Sequence, residues 1–170
     1  MDESLPMADA VVSQARALVW LPADEQPLPL LADQLCSAMM VGMSEAVRDM
    51  SVEYAKLRTQ FGQPIGAFQA VKHRCADMAL HAEAAWSQTV FAALQLDAAR
   101  ESAAFDIATA KLIATHAALE GAAANIQNHG SIGFTAELQA HLFLKRAHVI
   151  DSFGGGARVQ SRKVLTLRHE

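Results

Sequence analysis

An all-α fold, an antiparallel four-helix bundle behind a short extended N-terminal segment, is predicted by three features of this 170-residue chain. Apolar residues recur at alternating steps of four and three over three successive long stretches, the spacing that gathers them on one face of a helix. Alanine, which loses no side-chain entropy on entering a helix, is abundant through 79–124. Glycine and proline interrupt the pattern at Gly62–Pro64, Gly130–Gly133 and Gly154–Gly156, between the stretches, and no alternating strand ladder is found.

Residues 1–30 stand apart. Val11-Val12 and Ala17–Trp20 are short apolar runs, and Pro22, Pro27 and Pro29 follow within ten residues. Proline at that density excludes a continuous helix, so the segment reads as one or two extended pieces and a linker. The helical domain is expected over 31–170. Cys36, Met40, Met43, Val47, Met50, Tyr54 and Leu57 mark its first helix. After the break at Gly62-Gln-Pro64, Phe68, Val71, Cys75, Met78, Ala82, Ala85, Thr89, Ala92 and Leu96 mark the second. Phe105, Ala108, Leu112, Thr115, Leu119, Ala122 and Ile126 mark the third. Thr135 reads as the N-cap of a fourth helix running to about Asp151, with Glu137 in a first turn that favours a carboxylate. A short final helix is expected over 157–167.

Composition narrows the function. The net charge of −4 and the lack of a basic stripe interleaved with aromatics give no reason to expect nucleic acid. No run reaches membrane-spanning length, and the acidic start Met1-Asp2-Glu3-Ser4 is unlike a signal peptide. Cys36 and Cys75 fall inside helical apolar patterns and read as buried thiols of a reducing, cytoplasmic protein. Asp77 with His81, and Glu137 with His141, stand one helical turn apart. A ferritin-like metal bundle needs Glu-x-x-His pairs and further inward glutamates, which are missing, so these pairs read as solvated faces. The basic residues Arg158, Arg162, Lys163 and Arg168 likewise read as an exposed charged face.

Two segments carry chemistry. Tyr54-Ala-Lys-Leu-Arg58-Thr-Gln60-Phe61-Gly62-Gln-Pro64 ends one long helix and turns sharply, leaving an arginine, glutamines and a phenylalanine free of the core. Arg58 at a helix C-terminus also complements the macrodipole, a purely structural alternative. Gln127-Asn-His-Gly130-Ser131-Ile-Gly133-Phe134 follows the third helix, where the glycines could simply terminate it. Together the segments resemble the two flavin-contacting turns of the acyl-CoA dehydrogenase family, a resemblance covering about residues 30–168. It implies that Arg58 contacts the pyrophosphate of FAD across a subunit interface, where a planar guanidinium can bond two phosphate oxygens. It further implies that Gln60 hydrogen-bonds the cofactor and Phe61 packs on its apolar surface. Gln127, Gly130 and Ser131 match the family's Q-x-x-G-G turn on the ADP half, with serine in place of the second glycine.

The family's catalytic carboxylate is not where the resemblance places it. In many members a glutamate follows an aromatic residue just after the fourth helix; here that stretch reads Phe153-Gly154-Gly155, with glycine at the base position. Other members carry it on the first long helix, where this chain has Leu31-Ala32-Asp33-Gln34. Alanine stands at the aligned place, and Asp33, one residue on, is expected to face about 100° away, which makes it a weak candidate. The resemblance therefore implies one of two roles. The chain is part of a flavin-dependent dehydrogenase acting on acyl-CoA thioesters, or it is a non-catalytic subunit or scaffold of a hetero-oligomeric one. In either case it works in dimers or tetramers with acyl-CoA dehydrogenase-like subunits.

Overall fold

The computed structural model describes residues 28–167 and, ahead of them, positions 11, 13, 14, 16 and 19. The extended pieces expected over 1–30 lie largely outside the described residues, as does Arg168. Five helices are described: α1 (Leu28–Leu57), α2 (Gln69–Asp97), α3 (Ala103–His129), α4 (Ala140–Ser152) and α5 (Gly156–Thr166). A small antiparallel hairpin, β1 (Thr59–Gln60) with β2 (Gln63–Pro64), joins α1 to α2. The first four helices make the expected bundle, and α5 packs back onto it.

α1 starts at Leu28, so the last residues of the segment read as a linker are already helical. Pro29 is no obstacle there, because an N–H in the first turn has no intrahelical acceptor to lose. α4 starts later than the sequence suggests. Its N-cap is Gln139, whereas the Thr135 hydroxyl donates backwards to the Ile132 carbonyl and belongs to the preceding turn. A threonine can cap forwards or bond backwards, and the pattern alone does not distinguish the two.

α3 is the central helix, buried along more than half its length. Its contact face is built of Ala110, Ala114, Ala117, Ala118 and Ala122, each at most 1 % exposed. These small side chains let α1 and α2 approach closely. A Cβ added at Gly121 would stand 3.2 Å from a Val47 methyl. Met40, Met43, Val47, Met78 and Ile150 fill the remaining volume, and Cys36 and Cys75 are half-buried rather than enclosed. No described helix is long and apolar enough to cross a membrane.

Two polar nodes break the apolar interior, one towards each end of α1. Near its C-terminus, Asn128 donates to Ser51 Oγ (2.6 Å) and accepts from Arg74 (2.6 Å), tying α3 to both α1 and α2. Near its N-terminus, Asp33 meets Lys111, Gln160 and Lys163. Asp33 lies near the start of α1 and Arg58 directly follows its last residue, twenty-five positions on, about 37 Å at 1.5 Å per residue.

Candidate functional site

The corner after α1 is held by its backbone. The Arg58 amide donates to the Tyr54 carbonyl (2.8 Å) and the Arg58 carbonyl accepts from Ile65 (2.8 Å), closing the hairpin beneath it. The two residues between β1 and β2, Phe61 and Gly62, have φ of 52° and 78°. A two-residue hairpin of this kind needs positive φ at both positions. Glycine adopts it freely, but a bulky aromatic is strained there by about 1–2 kcal/mol. The strain projects the Phe61 ring into solvent, 92 % exposed, with only an edge contact to Phe68 at 6.1 Å between centroids. Arg58 and Gln60 are exposed as well. Among the described residues no carboxylate pairs with Arg58, and Gln60 bonds only its neighbour's carbonyl.

The second turn sits beside the first. The Tyr54 ring stacks on His129 at 4.1 Å and 29°, and Asn128 is bonded to Ser51, so the C-terminal ends of α1 and α3 meet. His129 is fixed in turn by its Nδ1 contact with the Asn125 carbonyl at 2.8 Å. α3 ends at Gly130, whose φ of 67° and ψ of −142° suit glycine alone, and the space where its Cβ would lie is open. Gly133 is needed for a different reason. It is buried, and a Cβ there would stand 2.7 Å from the Ile126 carbonyl oxygen. Gln127, Gly130 and Ser131 remain exposed, as do Ile132 and Phe134. All six residues singled out for cofactor contact are thus on the surface of one end of the bundle. The donor set suits a dinucleotide: one unpaired guanidinium, two amides, a hydroxyl, and an exposed ring.

Asn128, His129, Ser51 and Arg74 were not singled out by the sequence, yet they join the two turns. Asn128 and His129 lie inside the second motif, but their inward direction depends on the rotation of α3, which the motif does not state. The groove between α2 and α3, about 400 Å³, is lined by Arg74, Asp77, His81, Glu120 and Gln127 and opens beside this turn. Among the described residues no group of three or more His, Cys, Asp or Glu is placed to hold a metal ion.

At the other end of α1, Asp33 and Ala32 face different ways, as the step of about 100° between neighbours requires. Asp33 is 3 % exposed and directed inward, whereas Ala32 is exposed. It shares its face with Ser37 and Met40, one and two turns on, both fully buried. Its carboxylate lies against Gly154 and accepts from Lys163 Nζ (2.7 Å) and Gln160 Nε2 (3.1 Å), with Lys111 Nζ at 3.8 Å. Lys163 therefore leaves the exposed basic face expected for α5. Lys111, fully buried, also donates to the Phe153 carbonyl at 3.1 Å. Gly154 itself has φ 73°.

The chain matches the family model described as acyl-CoA dehydrogenase, C-terminal domain, over residues 34–166. It is 41 % identical over 170 residues to acyl-CoA dehydrogenase FadE34 of Mycobacterium tuberculosis (strain ATCC 25618 / H37Rv), covering 98 % of this chain and 23 % of that protein. Among solved structures it resembles "PigA with FAD and proline" (TM-score 0.77, 30 % identity, 80 % of this chain and 35 % of that one). It also resembles a chain of the ChsE4-ChsE5 complex from Mycobacterium tuberculosis (TM-score 0.76, 31 % identity, 81 % and 37 %). The chain spans under a quarter of FadE34 and a little over a third of these structures.

Proposed function

The chain belongs to the acyl-CoA dehydrogenase family, and on that premise we propose that its Arg58 corner grips an FAD held jointly with a neighbouring subunit of the same family. The assembly dehydrogenates an acyl-CoA thioester between its α- and β-carbons, and this chain contributes cofactor binding and oligomerisation without a proton-abstracting base. The observation that carries the reading is the distance along α1. The turn at Gly154, where the family places its base, packs beside Asp33, about 37 Å from Arg58. One extended FAD does not reach from a flavin ring at the first place to a pyrophosphate at the second. The corner therefore serves a flavin other than any beside its own 154 turn.

Each exposed residue then has work. Arg58 bonds two oxygens of the pyrophosphate; Gln60, Gln127 and Ser131 bond the nucleotide, and Gly130 lets the backbone approach it. Phe61 covers an apolar part of the cofactor. The ring is 92 % exposed and so open to such a contact. FAD, when bound, accepts the hydride that leaves the β-carbon. We assign proton removal from the α-carbon to no group of this chain: Gly154 lacks a side chain, and the Asp33 carboxylate is buried and bonded to Lys163 and Gln160.

Two exposed apolar stripes supply surface for a partner. Leu31, Leu35 and Met39 succeed one another on α1, and Trp86, Val90 and Leu94 on α2. The bond from Gln34 to the Thr89 carbonyl (2.9 Å) pairs those two segments. The partner that carries the base is an unlike subunit, since a second copy of this chain shares the cofactor but brings another Gly154; the free thiols of Cys36 and Cys75 suit a reducing cytoplasm.

Purification of the assembled oligomer should recover flavin absorbance together with a second copy or companion chain by mass. The 170-residue chain alone should reduce no dye when given acyl-CoA, because loss of a general base costs two to four orders of magnitude. Turnover by the lone chain, or an assembly without flavin, overturns the proposal. A second expectation concerns Phe61→Asn. Asparagine tolerates left-handed backbone, so the thermal midpoint should hold or rise by roughly 2 °C. Flavin retention should fall roughly tenfold as the ring contact is lost. Unchanged retention would remove Phe61 from the site.

A further inference from the structure

We propose that Asp33 is a lock that occupies the space a side chain at position 154 would need, so that Gly154 and Asp33 are a mutually exclusive pair. The geometry is direct. A Cβ built on Gly154 falls well inside contact distance of Asp33 Oδ1 and 3.0 Å from its Cγ. A carboxylate at the tip of a free side chain could swing aside, but this one cannot. Oδ2 accepts from Lys163 Nζ at 2.7 Å and from Gln160 Nε2 at 3.1 Å, and Lys111 Nζ stands 3.8 Å from Oδ1. Gln160 also donates to the Gly154 carbonyl at 3.1 Å, so the same amide holds the carboxylate and the turn together. The side chains of Asp33 and Lys111 are 4 % and 1 % exposed, so a displaced carboxylate meets solvent only on the side of Lys163.

The lock has a function beyond holding α5 to α1. Glutamate cannot be accommodated at 154 while Asp33 is present, so a single substitution does not give this chain a base. The bearing on catalysis rests on the reading of position 154 as the family's base position; the exclusion itself rests on packing alone. Asp33 thus fills the space beside the 153–156 turn and is tied to it through Gln160.

A double-mutant cycle tests it on the full chain, read as the thermal midpoint without flavin or substrate. Gly154→Ala adds only the Cβ. In the parent it should lower the midpoint by roughly 10 °C, from left-handed strain plus overlap with the pinned carboxylate. In an Asp33→Ala background the strain remains but the overlap is gone, and the loss should shrink to roughly 4 °C. Equal losses in both backgrounds would overturn the lock. If Asp33→Ala alone does not fold, the cycle is run with Asp33→Ala/Lys111→Met, which removes the more deeply buried stranded ammonium. Flavin content of the assembled protein, tested through Arg58 about 37 Å away, reports on the cofactor reading separately, so either idea can fail without the other.

Discussion

Alanine at position 33 should destabilise the bundle by about 3–5 kcal/mol, the loss expected when one partner of a buried ion pair is removed and the other charge is stranded. Two ammonium groups depend on this single carboxylate. Lys111 is fully buried, whereas Lys163 keeps a third of its side chain in solvent and can partly rehydrate. The contrast with Lys111→Met sharpens the expectation. Methionine fills similar volume and leaves a one-to-one Asp33–Lys163 pair; what is lost is chiefly the donor to the Phe153 carbonyl. That exchange should cost about 1–2 kcal/mol. Chemical denaturation of the two variants measures both numbers. An Asp33→Ala protein of unchanged stability that had lost acyl-CoA turnover would invert the assignment and make Asp33 the base.

The same residue marks where the sequence stopped being legible. The three long helices could be read because their apolar faces repeat at helical spacing over many turns and the breaks between them are glycine and proline. The face read for α3 did not include Ala114, Ala117, Ala118 and Gly121, which pack in the interior because this central helix is buried on more than one side. Direction around a helix is less forgiving. Neighbouring residues stand about 100° apart, so Asp33 and Ala32 face different ways as expected, but the pattern does not say which of the two points inward. The partners of Asp33 arrive from α3 and α5, with Lys163 130 positions away in sequence, so no local pattern announced the cluster. Lys111 sits between alanine and leucine in an ordinary helical run and reads as a solvated lysine until α4 is packed over it. At the other end, the Arg58 corner was legible as a turn with unclaimed polar groups. The left-handed backbone of Phe61 was not, because a phenylalanine gives no signal of positive φ.

Arg58→Ala should leave the fold intact and loosen the cofactor. The side chain is exposed and has no carboxylate partner among the described residues, so the change in stability should stay within about 0.5 kcal/mol. Its proposed bonds are to phosphate oxygens, and charge-assisted bonds of this kind are worth about 1.5–3 kcal/mol, or roughly 10- to 100-fold in retention. Arg58→Lys separates charge from geometry. Lysine keeps the cation but not the planar fork, and it should recover only part of the loss. Salt adds a further discriminant. An exposed guanidinium–phosphate contact is screened within about 8–10 Å at physiological ionic strength, so raising salt should weaken flavin retention in the parent more than in Arg58→Ala. The proposed sharing of a flavin with another chain requires the effect to appear in trans as well. In a mixed assembly, Arg58→Ala in this chain should release flavin whose ring lies in the companion subunit, and restoring arginine here alone should recover it. Flavin loss only from sites whose every other contact lies on the variant chain would place the cofactor within one molecule instead.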